Sequence, residues 1–124
     1  MERIRILIVD DEEDLVSALA ERLRLRGFQV ETATTGTDAL THVSAGDFSV
    51  VILDVKMPGI GGVELMVEIM RKHPDLPVIL FTGHGSVADA RRGMEEGAFD
   101  YIMKPVDIDD LIHKIGNAAG RKTG

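Results

Sequence analysis

The chain has 124 residues, the size of one ordinary domain, with 44% hydrophobic and 28% charged residues, a normal soluble balance. It has no cysteine, which excludes disulfides and thiolate metal sites, and its formal charge of −7 argues against gripping nucleic acid through phosphate contacts. No apolar run approaches the roughly 20 residues that span a bilayer, and the N-terminus has no signal-peptide pattern, so no membrane contact and a cytoplasmic location are expected.

The first β-rich run is Ile4–Val9. A helical pattern follows, with Val16, Leu19, Ala20 and Leu23 on one face and Gly27 where a C-terminal cap belongs. The second run, Phe28–Ala33, alternates apolar and polar residues, as an edge strand does. Thr34-Thr35-Gly36 reads as a turn, and a short helix is expected over Thr37–Ala45, with Leu40 and Val43 inward and Gly46 ending it. Val50–Leu53 is the third run, followed by a helix carrying Val63, Met66, Val67 and Met70 inward and stopping before Pro74. Val78–Thr82 is the fourth run. Ser86 is the expected N-cap of the next helix, with Val87, Ala90 and Met94 inward and Gly97 closing it. Tyr101–Met103 is the fifth run, and Ile108, Leu111, Ile112 and Ile115 mark the last helix. All the runs except the second are nearly continuous in apolar residues, as strands buried on both faces are. Five βα alternations predict a doubly wound α/β sandwich with helices on both faces of a parallel sheet. Residues 1–119 form the expected domain, and Gly120–Gly124 a tail or the start of a linker.

In an open α/β sheet, ligands bind beyond the carboxyl ends of the strands. The residues there are Asp10 and Asp11 after the first strand, Asp54 after the third, Thr82 at the end of the fourth, and Lys104-Pro105 after the fifth. Two like charges about 4 Å apart repel by roughly 4 kcal/mol at an effective dielectric near 20, so a carboxylate cluster needs a proton or a metal. Oxygen ligands without His or Cys favour Mg²⁺, with Mn²⁺ as the alternative. A lysine and a hydroxyl beside such an ion are the parts that stabilise a transferring phosphoryl group, with a carboxylate as the nucleophile. Taken singly, Asp11 or Glu12 reads as a helix cap, Thr82 as a turn residue and Lys104 as a surface charge. Their convergence on one rim is what argues against coincidence.

Four segments carry a family resemblance: Ile6–Glu12 (ILIVDDE), Leu53–Gly59 (LDVKMPG), Phe81–His84 (FTGH) and Asp100–Pro105 (DYIMKP). In this order and spacing the chain resembles a bacterial response-regulator receiver domain from about Arg3 to Ala119. The resemblance implies a five-stranded sheet in order 2-1-3-4-5 and a switch in a two-component system. It implies Asp54 as the phosphoacceptor, Asp11 as the main metal carboxylate with Asp10 reaching the metal through water, and the Lys56 backbone carbonyl as a further ligand. Lys104 matches the phosphate-binding lysine, Thr82 the switch hydroxyl and Tyr101 the coupled aromatic. Lys104-Pro105 matches a peptide that is cis in the family. Lys56 and His84 match variable positions that tune the lifetime of the phosphoryl group, against a reading as solvated side chains. The implied partners are a sensor histidine kinase, an effector domain or protein, most resembling those of transcription activators, and a second copy through the fourth helix, fifth strand and fifth helix. His42, His73 and His113 lie on different predicted helices and form no ligand spacing, and Met66, Met70 and Met94 fall at core spacing.

Three rival readings meet obstacles in the same residues. A flavin-binding domain of the same strand order needs a Gly/Ser/Thr phosphate loop where this chain has Asp10-Asp11-Glu12-Glu13, and aromatics are only 4% of the residues. An Asp-nucleophile phosphatase wants a second Asp two residues on, where Lys56 stands. A phosphorylation-independent binding module has no need of the acidic constellation. The favoured reading is therefore a switch that catalyses only its own phosphorylation and dephosphorylation.

Overall fold

The structure is a computed structural model that describes residues 3–123, with the side chains of His84 and of residues 121–123 outside that description. Strands β1 (Arg5–Val9), β2 (Gln29–Ala33), β3 (Val50–Asp54), β4 (Val78–Thr82) and β5 (Asp100–Met103) form one parallel sheet in the order β2-β1-β3-β4-β5. They alternate with helices α1 (Glu13–Leu25), α2 (Gly36–Ala45), α3 (Gly62–Lys72), α4 (Val87–Glu95) and α5 (Ile108–Thr123). The last helix runs on through residues read from sequence as a tail. A 3₁₀ turn, His84–Ser86, leads into α4.

Because side chains alternate across a strand, the apolar runs divide into two cores. Leu7, Val9, Val51, Leu53, Val78 and Leu80 pack with Ala39 and Val43 of α2 and with Val63, Leu65, Met66 and Ile69 of α3. On the other face, Ile6, Ile8, Val50, Ile52, Ile79 and Phe81 pack with Val16, Leu19 and Leu23 of α1 and with Leu111, Ile115 and Ala118 of α5. Each fully buried aliphatic side chain contributes about 1.5–3 kcal/mol, so the three inner strands anchor both layers.

The alternating second run is an edge strand, as its pattern predicts. At the opposite edge, β5 departs from the expectation of burial on both faces. Ile102 is buried, whereas Tyr101 and Met103 are exposed, because β5 has a neighbouring strand on one side only.

Two local expectations are corrected, and a third holds in position only. Thr35, read as a turn residue, is the N-cap of α2 and accepts a hydrogen bond from the Asp38 amide at 3.1 Å. Ser86 occupies the N-cap position of α4, as expected, but its side chain makes no capping bond there. Val87 and Met94 do not point inward; they are exposed, and α4 instead turns Ala90 and Gly93 to the sheet. Gly93 faces Leu80 so closely that a Cβ at this position would collide with the Leu80 side chain.

Candidate functional site

Register brings the functional residues to one level. Val9 pairs with Leu53 and Asp54 with Phe81, so Asp10 leaves β1 beside Asp54 at the end of β3. Thr82 pairs with Met103, and the Lys104 amide donates to the Thr82 carbonyl at 2.8 Å, which fixes where the Lys104 side chain starts. The turn after β3 is held by two short-range bonds. The Lys56 amide donates to Asp54 Oδ1 at 3.2 Å, and the Gly62 amide to the Val55 carbonyl at 3.1 Å. Gly62 lies so near the Asp54 carbonyl and Val55 Cα that only a residue without a side chain fits.

Asp10, Asp11 and Asp54 each offer a carboxylate oxygen to one point, with these oxygens within 4.8 Å of one another. Asp10 and Asp54 are buried and Asp11 is exposed. Lys104 Nζ lies 2.9 Å from Asp10 Oδ2, 3.2 Å from Glu12 Oε1 and 3.7 Å from Asp54 Oδ2. The Asp10 contact is an ion pair without hydrogen-bond geometry, so Asp10 Oδ2 is buried with no hydrogen-bond donor. Asp10 Oδ1 does have one, the Glu12 amide at 3.0 Å.

Burial, followed by the charge of Asp10, pushes the Asp54 carboxyl from 3.8 up to about 6, against the Lys56 amide and the Lys104 charge. Burial alone would lower Lys104, but its contacts with Asp10 and Glu12 and the charges of Asp10 and Asp54 outweigh it and hold the ammonium above its ordinary value. An all-oxygen cluster with an orphaned buried carboxylate oxygen is the donor set of a hard divalent cation, so the residues present fit Mg²⁺.

Thr82 is fully buried at the end of β4, with its hydroxyl donating to the Gly83 carbonyl at 3.2 Å. The Tyr101 ring is 42% exposed on the β5 edge. The Lys104-Pro105 peptide is cis. Lys56 is exposed beside the rim, and the tuning role expected for the His84 side chain lies outside the described residues. The residue that sequence reasoning missed is Glu12. It was read as a helix cap, but its side chain caps nothing and reaches Lys104 instead. An acidic residue directly after two metal-site carboxylates, facing a lysine 92 positions away, carries no local pattern that could have revealed the pairing.

Residues 6–116 match the sequence profile of the response regulator receiver domain. The chain belongs to that family. This receiver domain is 38% identical over 117 residues to the C4-dicarboxylate transport transcriptional regulatory protein DctD of Rhizobium meliloti, covering 94% of the chain and 25% of that protein. It is 38% identical over its whole length to the transcriptional regulatory protein YkoG of Bacillus subtilis, 54% of which it covers. The domain thus spans between a quarter and about half of these curated relatives. Among solved structures it is similar to a response regulator receiver domain protein from Clostridium thermocellum, with a TM-score of 0.92, 38% identity and 97% of each chain covered. NtrX from Brucella abortus gives a TM-score of 0.92 at 33% identity, with 98% of this chain and 28% of that one covered. Receiver domains are signalling modules of two-component response regulators, and the homologues here are transcription regulators. No helix among the described residues is long and apolar enough to cross a membrane.

Proposed function

We propose that the domain accepts a phosphoryl group on Asp54 from the phosphohistidine of a sensor histidine kinase and relays it as a change of surface. The observation that carries this reading is the convergence of Asp10, Asp11 and Asp54 on one point, with Lys104 Nζ within 4 Å of two of them. Asp54 is the nucleophile. Its carboxylate oxygen forms the new bond to phosphorus as the phosphorus–nitrogen bond of the donor breaks and the imidazole leaves. With a pKa near 6 it is mostly ionised at neutral pH, and so can attack. Asp10, Asp11, Asp54 and the Lys56 carbonyl would hold Mg²⁺, which supplies positive charge against the phosphoryl oxygens. Lys104 donates to a phosphoryl oxygen and balances its charge. Water later attacks phosphorus as its bond to the Asp54 oxygen breaks, which frees the Asp54 carboxylate and releases inorganic phosphate, with Lys56 and His84 setting how fast. The domain acts on itself and turns over no external metabolite.

Thr82 carries the signal outward. Its hydroxyl, held by the Gly83 carbonyl, turns to the added phosphoryl oxygens, and the Tyr101 ring leaves its exposed position for the space vacated. The face of α4, β5 and α5, where Val87, Met94, Tyr101 and Met103 are exposed, then changes shape for an effector or a second copy. The names of the relatives support a transcriptional output: DctD and YkoG are transcriptional regulatory proteins, of which this domain matches 25% and 54%. A cytoplasmic setting suits a kinase partner of this kind.

Incubation with acetyl phosphate and Mg²⁺ should add one phosphoryl group, which mass spectrometry places on Asp54. Asp54→Ala should abolish the labelling, and persistent labelling at another residue would move the acceptor. Thr82→Ala should still be labelled while its Tyr101 ring signals in NMR stay put. An equal response of that ring in both proteins would break the proposed relay.

A further inference from the structure

The Lys104 ammonium has more acceptors than the phosphoryl-transfer reading uses. An ammonium has three protons to donate. In the unmodified domain its two shortest contacts, to Asp10 Oδ2 at 2.9 Å and Glu12 Oε1 at 3.2 Å, both lie on the chain between β1 and α1. Asp54 Oδ2, at 3.7 Å, is beyond hydrogen-bond reach. Asp10 is fixed by burial and by the bond from the Glu12 amide to its other oxygen. The Glu12 side chain has no such anchor. It is 63% exposed, makes no capping bond, and reaches Lys104 across the rim.

We propose that Glu12 is a positioning residue that draws Lys104 away from Asp54 in the unmodified domain, so that its carboxylate competes with an incoming phosphoryl group for the ammonium. This rests on Asp54 being the acceptor. A phosphoryl group on Asp54 draws the ammonium toward β3, from its 3.7 Å separation, and so lengthens its contact with Glu12, whose exposed side chain is then released toward water. Glu12 thus opposes phosphorylation by the strength of one solvent-exposed ion pair. Glu13, the next residue, has the same charge but no ion pair to Lys104 among the described residues.

Glu12→Gln and Glu13→Gln separate the contact from the charge. In the metal-free, unphosphorylated protein, the Lys104 side-chain ammonium signal in ¹⁵N NMR should shift in Glu12→Gln and stay in place in Glu13→Gln. With acetyl phosphate at saturating Mg²⁺, Glu12→Gln should be labelled roughly two- to fivefold faster than wild type, the range of one exposed ion pair. Glu13→Gln should gain clearly less. Equal rates in the two variants, or an unmoved Lys104 signal in Glu12→Gln, would overturn the proposal. If wild type takes no phosphoryl group on Asp54, the functional reading itself fails, while the metal-free NMR comparison still decides whether Glu12 holds Lys104.

Discussion

Asp54 is held in a setting that disfavours its charge. Its carboxyl, at about 6 rather than 3.8, binds a proton more tightly in the folded than in the unfolded chain. The stability this contributes is complete below the unfolded value and is lost as pH rises through the folded one. In chelator, the ionised side chain should therefore cost about 3 kcal/mol at neutral pH. Asp54→Asn removes the cost. Denaturant melts without metal should find the variant gaining on wild type between about pH 3.5 and pH 6.5. A gap that is constant or narrows with pH would exclude burial as the cause. Sequence showed that Asp54 stood at a strand end among other carboxylates, but not how deeply it is buried, since burial depends on the loops that close over the rim.

At the scale of elements, the junction of β3 and α3 is the tightest point near the site. A Cβ on Gly62 would strike the Asp54 carbonyl and Val55 Cα, backbone atoms that cannot turn aside as a side chain can. Gly62→Ala should cost about 3 kcal/mol, measured by chemical denaturation. A loss under about 0.5 kcal/mol, the usual range for an innocuous surface change, would show that the junction has slack. The strands were legible because three of them are buried on both faces and so read as unbroken apolar runs; their observed ends differ from the expected ones by a residue or less. Helix α4 was misread for a related reason. Apolar periodicity registers large side chains, and α4 meets the sheet through Ala90 and Gly93, leaving its larger Val87 and Met94 outside. A close helix–strand approach is built from absent atoms, which no hydrophobic pattern records.

Across the whole molecule, the site is assembled from β1, β3, β4 and β5, so any ligand that binds it ties both halves of the sheet to the native state. Mg²⁺ at millimolar levels should raise the melting temperature, because a ligand that binds only the folded chain stabilises it. Asp11→Ala should remove most of that gain while leaving the core untouched, since Asp11 is exposed. A melting temperature indifferent to Mg²⁺ would refute the metal assignment. The identity of these residues was legible, because Asp10, Asp11, Asp54, Thr82 and Lys104 each end a recognisable strand. Their pairing was not. The partners of Lys104 depend on how α1 leaves β1, and that angle is a property of packing rather than of any one segment.

The crowding of anions around Lys104 also bears on how donors arrive. Asp10, Asp11, Glu12 and Asp54 surround a rim where Lys104 is the cation in ion-pair contact with three of them, on a chain of net charge −7. A small acyl phosphate is itself anionic, so its encounter with this rim is one of like charges even with a divalent ion in place. Dissolved salt screens such repulsion over about 10 Å at 0.1 M. Once the cation site is saturated, small donors should therefore react faster as ionic strength rises. That kinetic salt effect is opposite in sign to the one expected where attraction guides the encounter. A donor that places positive charge against the same rim would escape this barrier and should lose the salt acceleration.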